Sequence, residues 1–149
     1  SPLYFNDKER TSALISICSL LNVVLPEGQP NKKIYNSFEN LINSIKLDNW
    51  IILYIFFELN LIKSLGYDVN LNQYANIIDD FSEIKKIKID GYIYDVPCYL
   101  ILKKTPIKIS NNLIRKSLYF TRNIIQNKFF LPNNIPFPKS RVILENYFN

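Results

Sequence analysis

The chain has 149 residues, 48% of them hydrophobic and 21% charged, which fits one folded domain and excludes a disordered chain. It contains no histidine and only two cysteines, Cys18 and Cys98, so the usual ligand sets of a protein-bound zinc ion are excluded. The net charge is +5, and from Cys98 onward nine bases stand against one acid, Glu145. This basic C-terminal third indicates either an anionic partner or, equally, a solvated lysine-rich face.

The start of the chain bears on its origin. It begins with Ser1-Pro2 instead of methionine, and the polar residues that follow do not resemble a signal peptide. We therefore expect a fragment, or a processed or trimmed chain, of a cytosolic protein.

Both cysteines are interpreted as small buried apolar residues.

Two amphipathic helices are predicted first. Asn6-Asp7 precedes an apolar pattern of helical spacing that runs to Val24, and Pro26-Glu27-Gly28 ends it. After a polar loop, the apolar residues between Ile34 and Ile45 predict the second helix.

The third predicted helix runs from Trp50 to Leu65 and is apolar nearly all round. Asp48 is expected to cap it, and Gly66 stands where a glycine commonly ends a helix. A membrane span is the competing interpretation. The segment is too short for that and carries polar residues such as Glu58, so a central core helix is favoured.

The pattern then changes to that of a β-hairpin. Apolar and polar residues alternate on both sides of Asp90-Gly91, a dipeptide typical of two-residue turns. Pro97 ends the predicted hairpin, and a short helix from Cys98 to Leu102 follows.

Two more helices complete the prediction. Ser110 is expected to cap a long helix that reaches Phe129, and a proline-stiffened loop separates it from a last helix, Ser140 to Phe148. The predicted fold is mainly α: a single helical bundle domain over residues 1–149, with one small β-hairpin inserted at about residues 86–96.

The sequence offers little chemistry for catalysis. Without histidine, no serine or cysteine nucleophile has a general base near it, and the three glycines punctuate turns and form no phosphate-binding loop. Asp79-Asp80 is the only tight carboxylate pair, and a solvated helix end explains it better than a Mg²⁺ site. We therefore expect a binding module that is not an enzyme and carries no metal or other cofactor.

The segment Phe57–Leu71 resembles the most recognisable stretch of RecO proteins, a helix with Phe-Glu and paired leucines that ends in Leu-Gly-Tyr. Weaker matches follow the family's order along the chain: Leu25-Pro26-Glu27-Gly28, as in alphaproteobacterial members, Val96-Pro97-Cys98-Tyr99-Leu100, Phe120-Thr121-Arg122 and Lys139-Ser140-Arg141. Where many relatives begin a four-cysteine zinc site this chain has Asn72-Gln73-Tyr74-Ala75, as expected of a zinc-free member. From the resemblance we expect that the family's N-terminal oligonucleotide-binding barrel is absent from this sequence because it belongs to residues that precede Ser1.

The resemblance implies a recombination mediator of the bacterial nucleoid. Such proteins bind single- and double-stranded DNA, anneal strands, and act with RecR to load RecA onto strands coated by single-strand binding protein (SSB), whose acidic tail docks on the helical domain. The expected contacts with DNA phosphates or the SSB tail are Arg115, Lys116, Arg122, Lys128, Lys139 and Arg141. About half are expected to be plain surface charges; Arg122 and Arg141 rank first.

Two further expectations complete the interpretation. The aromatic residues Phe57, Tyr67 and Phe120 are expected in the core, because they lie on apolar helix faces. The alternative function is a structural or adaptor helical domain that has lost DNA binding.

Overall fold

The fold is mainly α-helical with one antiparallel hairpin, in a computed structural model that describes residues 7–25, 31–67, 69–78, 80 and 84–149. In chain order the elements are α1 (Lys8–Val24), α2 (Lys32–Ser44), α3 (Trp50–Ser64), a 3₁₀ helix (Leu71–Ile77), β1 (Ile84–Ile89), β2 (Tyr92–Pro97), α4 (Cys98–Leu102), α5 (Asn111–Ile125), a π-helical turn (Gln126–Phe130) and α6 (Lys139–Asn146). The predicted fold class is confirmed. The predicted stop Pro26-Glu27-Gly28, and Asp79 of the acidic pair, lie outside the described residues.

Side-chain caps start two of the predicted helices as expected. Asp7 Oδ1 accepts hydrogen bonds from the amides of Glu9 and Arg10, both at 3.1 Å, and Ser110 Oγ accepts one from Leu113 at 3.1 Å. Each cap satisfies amides that the first turn of a helix leaves without a partner.

The prediction that Asp48 caps α3 is wrong. The residue before α3 is Asn49, and its side chain makes no capping bond. A tight turn takes the place of the cap, because the amide of Trp50 donates to the carbonyl of Leu47 at 3.2 Å.

The predicted glycine turn ends α3. Gly66 has φ +92°, its amide donates to Lys63 O at 3.0 Å, and the next amide, of Tyr67, donates to Ile62 O at 3.2 Å. This pair of bonds is the Schellman motif, and its left-handed position favours glycine.

The hairpin forms around the predicted turn. Ile89 pairs with Tyr92, and Asp90 and Gly91 both have positive φ, 49° and 89°, as a type I′ turn requires. The inner face packs on α5, where the ring of Tyr94 meets Phe120 edge-on at 5.8 Å. The hairpin therefore contributes buried side chains to the same hydrophobic cluster as the helices.

α3 is the central helix, in contact with α2 and α5, while α1 packs along α6 from near the other end of the chain. Nine of the fifteen residues of α3 are buried, which explains its apolar composition. No helix in the described part of the chain has the length and apolarity needed to cross a membrane.

Burial of the predicted core residues is mixed. Phe57 and Phe120 are buried and Tyr67 is half-buried. Cys98 is buried as expected, but Cys18 is exposed, so that prediction is wrong. The buried face of α1 contains Ser16 and Ile17, and one further residue along a helix rotates the side chain by about 100° toward solvent.

α5 does not continue as a regular helix to Phe129. It ends at Ile125 and widens into the π-helical turn, closed by a bond of 2.9 Å from the amide of Leu131 to Gln126 O. The ring of Phe130 packs between those of Phe129 and Phe137 at 5.3 and 5.0 Å.

Candidate functional site

One face of α5 carries a cluster of cations around a tyrosine. Arg115, Tyr119 and Arg122 are spaced four and three residues apart, with Lys116 beside them, so they share a face of the helix. They line a pocket of about 400 Å³, hereafter the basic pocket, whose lining also includes Asp95 of β2, Glu145 of α6 and Asn149.

Arg122 is held in place by its neighbours. Its Nε donates to Glu145 Oε2 at 2.9 Å and its Nη1 to Gln126 Oε1 at 3.4 Å, and its guanidinium carbon lies 4.7 Å from the centre of the Tyr119 ring. The side chain is 20% exposed. Arg122 thus keeps access to solvent, although part of its charge is balanced.

The other two cations of the pocket are less engaged. Arg115 Nη2 donates to the neutral side chain of Asn112 at 2.5 Å, and neither Arg115 nor Lys116 forms an ion pair within the described residues. Asp95 is already paired with Lys86 of β1 at 3.0 Å. The positive charges of the pocket therefore exceed the charge that its acids balance, which favours an anionic ligand.

The remaining predicted contacts lie elsewhere. Lys128 forms an ion pair with Asp90 at the hairpin turn and so joins the hairpin to the π-helical turn that follows α5. Lys139 is exposed at the start of α6 and does not line the basic pocket.

The structure corrects the expectation for Arg141. Its side chain is 0% exposed, and Glu58 binds it with two hydrogen bonds, from Nε at 2.5 Å and from Nη2 at 2.9 Å. Nη2 also donates to Leu118 O at 2.8 Å. A guanidinium enclosed in this way has no route to a phosphate or an acidic peptide at the surface.

The pair belongs to a buried network that joins four helices. Tyr54 OH donates to Glu58 Oε2 at 2.7 Å and lies 2.8 Å from Ser16 Oγ, while Thr121 Oγ1 donates to Glu58 Oε1 at 2.6 Å. Glu58 thereby accepts bonds from α3, α5 and α6, and Ser16 adds α1. We call Ser16, Tyr54, Glu58, Thr121 and Arg141 the buried network.

Burial and charge shift the ionisation of this network. Burial raises the pKa of Tyr54 well above 10, and the carboxylate of Glu58 raises it further. Burial alone would lower the pKa of Arg141, but the net direction is upward because Glu58, the Tyr54 hydroxyl and Glu145 favour its charged form. Tyr54 is therefore held neutral and Arg141 charged.

Two residues of these sites were not predicted from the sequence: Glu58 as a core residue and Tyr119 as a surface residue. A carboxylate in an almost wholly apolar helix signals a buried cation partner, although the sequence does not say which. Tyr119 could have been found as an aromatic residue at helical spacing from Arg115 and Arg122. Within the described residues, no three acidic, cysteine or histidine side chains form a group able to hold a metal ion.

Comparison with known proteins gives the class first and then the family. The profile described as "Recombination protein O C terminal" matches residues 6–87, slightly more than half of the chain. The helical fold and this match define a C-terminal domain of a recombination protein, and the chain belongs to the RecO family. The matched segment ends at residue 87, so all the lining residues of the basic pocket lie beyond it.

The curated relatives carry the name "DNA repair protein RecO". Those of Ehrlichia chaffeensis and a Wolbachia of Drosophila simulans are 36% and 34% identical over 74 residues, which cover 48% of this chain and 30% and 31% of the relatives. That of Cereibacter sphaeroides is 28% identical over 71 residues, 48% of this chain and 30% of its own. The chain thus matches about 30% of their length. No solved structure matches it.

Proposed function

We propose that this chain acts in bacterial DNA repair and homologous recombination, as the helical domain of a mediator whose basic pocket binds the phosphates of DNA. Family membership supports the pathway, and the RecO family's known partners make DNA, RecR and SSB the proposed partners here. Support for strand annealing and RecA loading would follow from these contacts. The role is one of binding, without catalysis.

The observation that carries the proposal is the excess of positive charge on one face of α5. Arg115 and Lys116 extend from the same turn of the helix without an ion-pair partner among the described residues, and Arg122 follows two turns later. Side chains of this kind bind backbone phosphates and release the counterions that surround DNA. Such binding weakens steeply as the salt concentration rises.

Charge reversal tests the proposal. The variant Arg115→Glu with Lys116→Glu should weaken binding of a labelled oligonucleotide by roughly tenfold or more in low salt, and should lower the salt slope by about two. Fluorescence anisotropy over a salt series measures both quantities. Lys32→Glu with Lys33→Glu is the matched control, because these exposed lysines at the start of α2 give the same change in net charge outside the pocket.

If both variants weaken oligonucleotide binding equally, binding depends on net charge alone and the basic pocket is rejected as the binding site. If neither variant changes binding, the adaptor role becomes the better function. One observation favours that role. Half of the six predicted contacts form ion pairs within the chain: Arg122, Lys128 and Arg141. An adaptor of this kind would bind RecR without binding DNA.

For the SSB tail, a second groove is the better candidate. It has a volume of about 440 Å³, and its lining combines polar side chains with apolar ones such as Phe56, Leu59 and Leu100. Two cations, Lys63 and Lys103, also line it, and no acid does so among the described residues. A short acidic peptide with an apolar anchor suits a groove of this composition. A labelled peptide of that kind should bind the chain, and Lys63→Glu with Lys103→Glu should abolish the binding; unchanged affinity would reject the groove.

A further inference from the structure

Tyr119 is the feature of the basic pocket that phosphate binding leaves unexplained. The side chain is 54% exposed, whereas the neighbouring Phe120 is 1% exposed and packs in the core. Arg115 and Lys116 lie one turn before Tyr119 on the helix, and Arg122 lies one turn after it. An aromatic ring is thus surrounded by three cations at the mouth of a pocket.

Packing does not account for this position. Among the described residues, Tyr119 makes no ring contact with another aromatic side chain, and its hydroxyl has no hydrogen-bond partner. In the described part of the chain, the specific neighbour of its ring is the guanidinium of Arg122, 4.7 Å from the ring centre. This contact orients the ring beside a phosphate-binding group and leaves more than half of the side chain open to solvent.

We propose that Tyr119 is a stacking platform for an unpaired base, so that the basic pocket prefers single-stranded DNA to a duplex. This rests on the proposed function, because Arg115, Lys116 and Arg122 must hold the backbone while the ring meets the base. Cations that follow the backbone beside an aromatic side chain are the usual composition of a single-strand site. In a duplex the faces of the bases are covered by their neighbours, so a ring on a helix surface has nothing to stack on.

The test compares three ligands of equal length: an oligothymidine strand, the same strand with abasic residues, and a duplex. Tyr119→Ala should weaken binding of the first by roughly 5- to 100-fold, the range for loss of one stacked base. It should leave the other two within about twofold, since they offer phosphates but no accessible base. Tyr119→Trp should retain the preference for the first ligand.

Tyr35→Ala is the matched control. Tyr35 is 52% exposed and lies on α2 beside Lys32 and Lys33, so it has similar local chemistry without the pocket. Because both tyrosines are exposed, neither substitution should unfold the chain, and circular dichroism checks this. Binding of all three ligands should be unchanged in this control.

Two outcomes overturn the inference. Equal weakening for all three ligands would mean that Tyr119 only positions Arg122, and no change for any ligand would mean that the ring carries no binding energy. The charge-reversal variant separates these failures from failure of the proposed function, because it should weaken all three ligands. If it does so while Tyr119→Ala affects the three ligands equally, the proposal of phosphate binding is supported and the proposal of base stacking is rejected.

Discussion

The buried network and the basic pocket are each built around an arginine paired with a glutamate, but the two pairs differ in exposure. Arg141 is 0% exposed and makes two bonds to Glu58, whereas Arg122 is 20% exposed and is held at one edge by Glu145. Removing one partner of a buried pair strands a charge in the core, while a partly exposed charge is rehydrated. Exposure therefore decides which arginine stabilises the fold and which remains able to bind a ligand.

The largest effect is expected from Glu58→Ala. It leaves the guanidinium of Arg141 buried without the carboxylate that it is hydrogen-bonded to, so the free energy of unfolding should fall by about 3–5 kcal/mol, as measured by urea denaturation. The double variant Glu58→Leu with Arg141→Met should recover most of this loss, because the buried network then contains no charge. A loss below about 1 kcal/mol in the single variant would contradict a stabilising role for the Glu58–Arg141 pair.

High pH should affect the core more than the pocket. Burial raises the pKa of Tyr99 to about 12, against a hydrogen bond to Ser117 that lowers it. Below pH 10 the hydroxyl is neutral in both states; above pH 10 it ionises first in the unfolded chain. The free energy of unfolding should therefore fall between pH 10 and 12, by about 2–3 kcal/mol from this group.

Tyr99→Phe checks the source of this fall. The variant has no hydroxyl to ionise at that position, so its stability should decline less over the same interval, as followed by urea denaturation at several pH values. The charge-reversal variant of the pocket should follow the parent curve instead. Parallel curves for Tyr99→Phe and the parent protein would contradict the assignment to Tyr99.

Glu145→Gln is expected to have a smaller effect, which is a gain in oligonucleotide affinity and not a large loss of stability. The amide keeps the shape of the side chain but removes the charge that balances Arg122, so oligonucleotide binding should tighten several-fold. The stability cost should be about 1 kcal/mol or less, because the charge that loses its partner, Arg122, is 20% exposed and can be rehydrated. Anisotropy and urea denaturation measure the two effects, and unchanged or weaker binding would count against Arg122 as a ligand contact.

The smallest effect is expected from Lys139→Glu. The side chain is exposed, has no ion-pair partner among the described residues and lies outside the basic pocket. Stability should change by less than about 0.5 kcal/mol and oligonucleotide affinity by less than about twofold. A tenfold loss of affinity would extend the binding surface onto α6.

Local signals in the sequence predicted the local structure well. Asp90-Gly91 indicated a turn that requires two positive φ angles, and Ser110 and Gly66 indicated the start of one helix and the end of another. These signals depend on neighbours a few residues away. The Asp48 cap failed because a backbone turn at Leu47 and Trp50 competed with it, and composition does not reveal such a turn.

The candidate site was harder to predict because ion pairs between residues far apart in the sequence decide which charges are balanced. Glu58 and Arg141 are 83 residues apart, and Arg122 and Glu145 are 23 residues apart. Counting bases could therefore identify a basic C-terminal third. It could not distinguish Arg141, which is paired with Glu58 in the core, from Arg115, which lines the basic pocket. That separation required the packing of α6 against its neighbours.

Because Cys18 is exposed and Cys98 is buried, we expect their thiols to react with a thiol reagent at different rates. Cys18 is open to a thiol reagent on the surface of α1, while Cys98 is buried where β2 passes into α4. The second thiol is modified only when that junction opens, so its labelling rate counts openings. The labelling rate of Cys98 should therefore report local unfolding at this junction without any substitution, and the labelling rate of Cys18 serves as the reference.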